Sequence, residues 1–203
     1  MPARTALRLL LFTLLLPLLA GLGFVLVGPE RVYTWIAGPA DQGAVDFATL
    51  QRQPDPTDSL ACTPPLCRIH VDLVLPVYAE PPEELMDHLD AIVLADTDNL
   101  TRVDDRTRPA YRRYVARTAA MRFPDTIDAE AQPLDGGTGL MIYGRSQLGN
   151  GDWGVNRARQ QGWAAGLADR AAPLPNSRAT GRARLLNPPA FRYSDGKSAR
   201  RRT

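Results

Sequence analysis

Thr126–Arg145 reads TIDAEAQPLDGGTGLMIYGR. Its first seven residues alternate, with Ile127, Ala129 and Ala131 on one face and Thr126, Asp128, Glu130 and Gln132 on the other, the period-two pattern of a half-buried strand. Asp135-Gly136-Gly137 is a strong turn signal, because glycine readily takes the positive φ that tight hairpin turns demand, and Thr138–Arg145 then returns as the second strand. An antiparallel hairpin therefore stands at the centre of the fold, and the flanking segments extend it.

Upstream, Arg68–Tyr78 (RIHVDLVLPVY) is rich in β-branched residues and reads as a strand, as do Thr101–Asp105 and the arginine-rich Tyr111–Thr118. A helix opens at Pro82, where proline suits the first turn and Glu83 and Glu84 complement the positive end of the helix dipole. Leu85, Leu89, Ile92 and Val93 recur at helical spacing as its apolar stripe. Downstream, Gly149-Asn150-Gly151 ends the hairpin, and Asp152 is placed to cap a helix from about Trp153 to Ala168 with Val155, Ala158, Gly162, Ala165 and Leu167 inward. The expected fold is α+β: an antiparallel sheet of four or five strands with two helices on one face, spanning residues 68–169.

Leu9–Gly28 (LLLFTLLLPLLAGLGFVLVG) is twenty residues without a charge, long enough at ~1.5 Å per residue to cross ~30 Å of hydrocarbon. Residues 1–28 are therefore expected to form a single transmembrane anchor. A cleaved signal peptide is the rival, with Arg4 and Arg8 as its basic start, but the apolar run is long for one and Gly21-Leu22-Gly23 is a poor cleavage site. Arg4 and Arg8 against Arg31 favour an N-terminus inside and a chain exposed beyond the inner membrane. Tyr33 and Trp35 follow at headgroup level.

Residues 29–67, rich in proline, read as a tether. They hold both cysteines, Cys62 and Cys67, too far apart for a redox C-x-x-C and too few for a structural zinc site. In an oxidising compartment they are candidates for a local disulfide, the alternative being two free thiols. Residues 170–203 carry nine Lys/Arg against one acid, leaving fifteen Lys/Arg against twenty-one acids in residues 1–169. The formal charge of +2 thus averages an acidic body and a basic tail, and the tail has too few large apolar groups to fold.

Phe123-Pro124-Asp125, followed by Arg145-Ser146, Gly149, Asp152 and Gly154-Val155-Asn156-Arg157 with Arg159, resembles the C-terminal signature of the domain-of-unknown-function family 1499. The resemblance covers about residues 60–169 and implies no particular activity, cofactor or ligand, though family members are often secreted or membrane-tethered. Gly144 stands where a serine is common in the family, and Cys67 is an extra cysteine.

A helix N-terminus beside guanidinium groups suits an anion, so Arg117, Arg145, Asp152, Asn156 and Arg157 are candidate ligand residues for a phosphate, carboxylate or lipid headgroup. Capping by Asp152 and ion pairing of Arg145 with Asp152 or Asp125 account for the same residue types without a ligand. No Walker loop, G-x-S-x-G or H-E-x-x-H motif is present, His70, Asp72 and His88 make a poor metal set, and no cofactor is expected. The expected function is a membrane-anchored extracytoplasmic binding or accessory module for an anionic lipid or envelope ligand; an Asp/Arg-dependent enzyme is the alternative. Nucleic acid is not an expected partner, since the basic tail would lie on the far side of the membrane.

Overall fold

A computed structural model of the chain describes residues 3–54, 56–95, 99–171 and 173–174. Two helices come first, α1 (Ala3–Val27) and α2 (Pro29–Ala37), followed by β1 (Asp58–Cys62), β2 (Leu73–Val74), α3 (Pro82–Val93), β3 (Leu100–Arg102), β4 (Tyr111–Arg117), β5 (Pro124–Leu134), β6 (Gly137–Ser146) and α4 (Val155–Arg170). The class is α+β, as the pattern predicts. The sheet has six strands rather than the four or five expected, in the order β2-β1-β6-β5-β4-β3, and is mixed rather than antiparallel, because β1, hidden in the stretch read as a tether, pairs antiparallel with β6 but parallel with β2.

Several segments differ from their reading in the sequence, among them the strand expected over Thr101–Asp105, which is Leu100–Arg102. The strand expected over Arg68–Tyr78 shrinks to Leu73 and Val74. Pro76 has no N–H to extend it, and the Asp72 carboxylate takes the Leu60 N–H at 2.8 Å in place of a ladder carbonyl. The stretch 29–67, read as a tether, contains both α2 and β1. β1 escapes the strand pattern because Ser59, Leu60, Ala61 and Cys62 are all buried, so no alternation marks it.

The central hairpin forms with Leu134 opposite Gly137 and Asp135-Gly136 as its two-residue turn, Gly136 at φ 86°. On one face of the sheet Ile127, Ala129, Ala131, Leu140 and Ile142 pack against Leu85, Leu89 and Val93 of α3 and Trp163 and Leu167 of α4. The inward face of α4 is rotated from expectation: Asn156, Gln160, Trp163 and Leu167 are buried, while Val155 is exposed. Two polar residues can face the sheet because each is satisfied there. Gln160 Nε2 donates to the Ser59 and Ile142 carbonyls at 2.8 and 3.1 Å, and Ser59 Oγ donates to Gln160 Oε1 at 2.8 Å.

The opposite face is covered as well. Val45, Phe47 and Leu50 pack over Leu60, Cys62, Met141 and Tyr143, and the backbone of residues 40–45 runs across β5. Thr126 and Asp128, on the polar side of the strand pattern, are therefore buried. The Thr126 hydroxyl donates to the Ala40 carbonyl at 2.9 Å, and the Gln42 N–H donates back to it at 3.1 Å.

Leucines 11, 14, 15, 16, 18, 19 and 22 of α1 are exposed. Among the described residues no single helix is long and apolar enough to cross a membrane; Leu11–Val27 and Pro29–Ala37 pass that test together but are bent by 99°. The basic tail beyond Leu174 lies outside the described residues.

Candidate functional site

The end of β6, the start of β5 and the first turns of α4 meet at one corner of the sheet. The loop between β6 and α4 folds back on itself through positive φ at Gly149 (95°), Trp153 (55°) and Gly154 (76°). Asp152 closes the helix end: its carboxylate accepts the Gly154 and Asn156 N–H groups at 2.8 and 3.0 Å, using donors that an incoming anion would need.

Beneath the loop four side chains form a closed ring. Ser146 Oγ donates to Asp125 Oδ1 at 2.6 Å, and Asn156 Nδ2 donates to Ser146 Oγ at 3.2 Å. Arg159 donates to Asn156 Oδ1 at 2.7 Å and to Asp125 Oδ2 at 3.2 Å. Burial raises the Asp125 pKa above the usual carboxylate range, against the pull of Ser146 and Arg159. Gly144 sits over the ring, where a β-carbon would come 2.6 Å from Asn156 Oδ1, so a serine there would displace the Asn156 side chain.

The five sequence candidates do not converge on one place. Asp152 and Asn156 are in this corner. Arg145 is on the other face of the sheet, where its guanidinium donates to buried Asp128 at 2.8 Å and to the Gly43 carbonyl at 2.6 Å. Tyr111 and the Val45 N–H also donate to Asp128. The side chains of β6 alternate across the sheet, which separates Arg145 from Ser146. Arg117 faces α2, 3.2 Å from Glu30. Arg157 is exposed and has no ion pair among the described residues. Cys62 and Cys67 form a disulfide at the end of β1. His70 faces Asp72 at 3.6 Å, His88 lies apart on α3, and no group of three or more metal-ligating side chains occurs among the described residues.

Two cavities flank Trp153, whose side chain is 99% exposed. The first, about 450 Å³, has walls from Phe123, Leu148, Trp153 and Val155 and a floor from Asp125 and Ser146. The second, about 440 Å³, is bordered by Asp58, Asp72, Asp152 and Arg157. The first cavity lies within the ~300–1,000 Å³ range of ligand pockets, and its floor carboxylate already accepts two hydrogen bonds. Such a space suits an apolar group better than an anion. Asp125, Ser146, Trp153 and Arg159 complete the corner although none stood among the candidate ligand residues. Asp125, Ser146 and Arg159 stand in the signature run itself, whereas Trp153 falls at a position between its quoted residues.

A mixed six-stranded α+β sheet, backed by two helices and carrying this motif between its last strand and last helix, defines the class of the domain. The chain belongs to the family described as "Protein of unknown function (DUF1499)", whose model matches residues 61–167. No curated protein and no solved structure matches the chain.

Proposed function

We propose that this chain is a membrane-anchored extracytoplasmic binding module. Residues 9–28 hold it in the inner membrane with the N-terminus inside, and the signature corner binds a ligand on the other side. The observation that carries the reading is the 450 Å³ cavity at the signature corner, in which Asp125 is held by Ser146 and Arg159, Asp152 by two backbone N–H groups, and the open walls are apolar. The exposed leucines of α1 support the anchor, since only a bilayer or another apolar partner covers such a helix. Arg157, at the second cavity beside Trp153, is where an anionic group on the ligand would be met.

Two measurements test this reading. A reporter that folds only outside the cytoplasm, fused after Leu174, is expected to be active; activity confined to a cytoplasmic reporter overturns the topology. Native mass spectrometry of the full chain released in mild detergent is expected to show a bound small molecule that is lost in Leu148→Arg. A chain that carries no added mass under any condition overturns the binding site.

A second reading, an Asp/Arg-dependent enzyme, rests on the raised pKa of Asp125 at the cavity floor. Turnover of the co-purified molecule that is abolished in Asp125→Asn while binding persists would favour it.

A further inference from the structure

We propose that the ligand of the first cavity is the acyl chain of a membrane lipid, taken up from the leaflet against which α2 lies. This rests on the membrane-anchored reading above and goes beyond it by naming the ligand class and its route.

The argument begins with α2, which is a collar between the sheet domain and α1. Tyr33 is buried on its inner side, its ring 5.1 Å from Phe123 and 6.0 Å from Phe24 of α1, with its hydroxyl donating to the Met121 carbonyl at 2.9 Å. Glu30 adds ion pairs to Arg117 at 3.2 Å and Arg122 at 2.9 Å. Trp35 and Ile36 are instead 72% and 69% exposed. With α1 across the bilayer, the 99° bend lays α2 along its surface, where an aromatic and an aliphatic side chain on the outer face sit between headgroups and acyl chains.

The cavity opens at this same end of the domain. Phe123, which stacks on Tyr33, is one of its walls. The loop that forms the opposite wall is fastened to the end of α2, because Gln147 Nε2 donates to the Ala37 and Pro39 carbonyls at 2.9 and 2.7 Å. Phe123, Val155 and Trp153 are exposed where they line the cavity, and Phe123 is joined through the Tyr33 ring to Phe24 of α1, so exposed apolar side chains stand on both sides of α2. Exposed apolar side chains grouped at a cavity mark a binding face, and the ring contacts that tie this one to α1 make the bilayer the partner that reaches both.

Inside, both carboxylates are already engaged: Asp125 with Ser146 and Arg159, and Asp152 with its two backbone donors. The charged side chains thus offer a headgroup little, Asn150 being the polar side chain left open in the lining, whereas an acyl chain needs no partner and meets the apolar walls. Trp153 stands at the mouth in a left-handed conformation that tryptophan seldom adopts, and its ring is almost wholly exposed. Strain of this kind, held in a loop at a cavity mouth, is a feature of binding sites, and tryptophan is a side chain that prefers the bilayer interface.

The test uses the full chain reconstituted in phosphatidylcholine vesicles containing a phosphatidylcholine with a diazirine near the end of one acyl chain. After illumination, labelled peptides are mapped by mass spectrometry. The expected result is label on α1 and on peptides bearing Phe123 and Leu148–Val155, with the cavity label lost in Leu148→Arg and in Val155→Trp, which fills the space, while the α1 label persists. Label on α1 without label on the cavity peptides of the wild-type chain overturns the acyl-chain proposal and leaves the binding-module reading standing. Absence of label from α1 as well overturns both. Repeating the experiment with phosphatidylglycerol carrying the same diazirine separates recognition of the chain from recognition of the headgroup: cavity labelling that requires the anionic lipid overturns a ligand defined by its acyl chain.

Discussion

Arg145 Nη1 donates to Asp128 Oδ2 at 2.8 Å between β6 and β5, in a place closed to solvent by the segment at residues 40–45. Taking one member away strands the other charge in the interior. Arg145→Ala is therefore expected to destabilise the fold by about 3–5 kcal/mol, and the double variant Arg145→Met/Asp128→Leu by less than either single one. Urea unfolding followed by circular dichroism checks it. An Arg145→Ala protein with an unchanged midpoint would return Arg145 to the list of free ligand groups.

Gly144 and Asn156 make the opposite kind of contact, one with no room to spare. A β-carbon at Gly144 would lie 2.6 Å from Asn156 Oδ1 and 3.2 Å from its Cβ. Gly144→Ala should cost about 1–3 kcal/mol by overpacking. In an Asn156→Ala background, where the amide is gone, the same change should cost clearly less. A double-mutant cycle reads the coupling directly.

How much of this was readable beforehand depended on sequence distance and on what covers each face. The hairpin was legible because period two and the Asp135-Gly136 turn are local, and α3 because Leu85, Leu89 and Val93 lie on one stripe. β1 was hidden because both of its faces are buried, and the true inward face of α4 because Asn156 and Gln160 satisfy backbone and side chains rather than apolar neighbours. The site was legible as a run of residues but not as a geometry. Arg145 finds Asp128 and Gly43, and Arg117 finds Glu30 from α2, through contacts that no local pattern announces.

Acid should weaken the fold in a defined window. Against the burial that would raise it, hydrogen bonds from Arg102 and from the Arg113 N–H hold Asp104 down at about 2. An unfolded aspartate titrates near ~3.9, so the stabilisation from Asp104 is complete above about pH 4 and is lost as pH falls toward 2. Asp41 and Asp58 are lowered too, each by an arginine that overcomes burial, and lose their contributions in the same direction. Asp125 is raised, so its contribution has the opposite sign and falls as pH rises through its folded value. Urea midpoints between pH 5 and 2 should fall more steeply for the wild type than for Asp104→Asn.

The Cys62–Cys67 disulfide closes a loop of only five residues in sequence separation. Loop-closure entropy predicts that it contributes less than the ~3 kcal/mol of a fifteen-residue loop. Cys62 is buried, so Cys67→Ser with Cys62→Ala keeps an apolar group at that position. The double variant should fold and bind its ligand with a modestly lower Tm. Loss of the fold would mean that the bond organises β1 instead of merely bracing its end.

Trp153 offers the sharpest separation between stability and binding. Its side chain is 99% exposed and its φ is 55°, so the folded state gains almost no packing from the ring and bears the strain of a left-handed tryptophan. Such strain is of order 1–3 kcal/mol, and glycine at this position relieves it while adding freedom to the unfolded chain, worth about 0.4–1 kcal/mol in the other direction. Trp153→Gly should therefore leave the unfolding midpoint unchanged or slightly higher. The same variant should lose interfacial contact. With Trp35→Phe in the background and Trp163 buried in the core, addition of vesicles should shift the emission of the Trp153 chain to the blue and leave that of the Trp153→Gly chain where it was. Stability that dropped with the ring would place Trp153 in the packing of the domain, whereas a retained blue shift would assign the membrane contact to other residues.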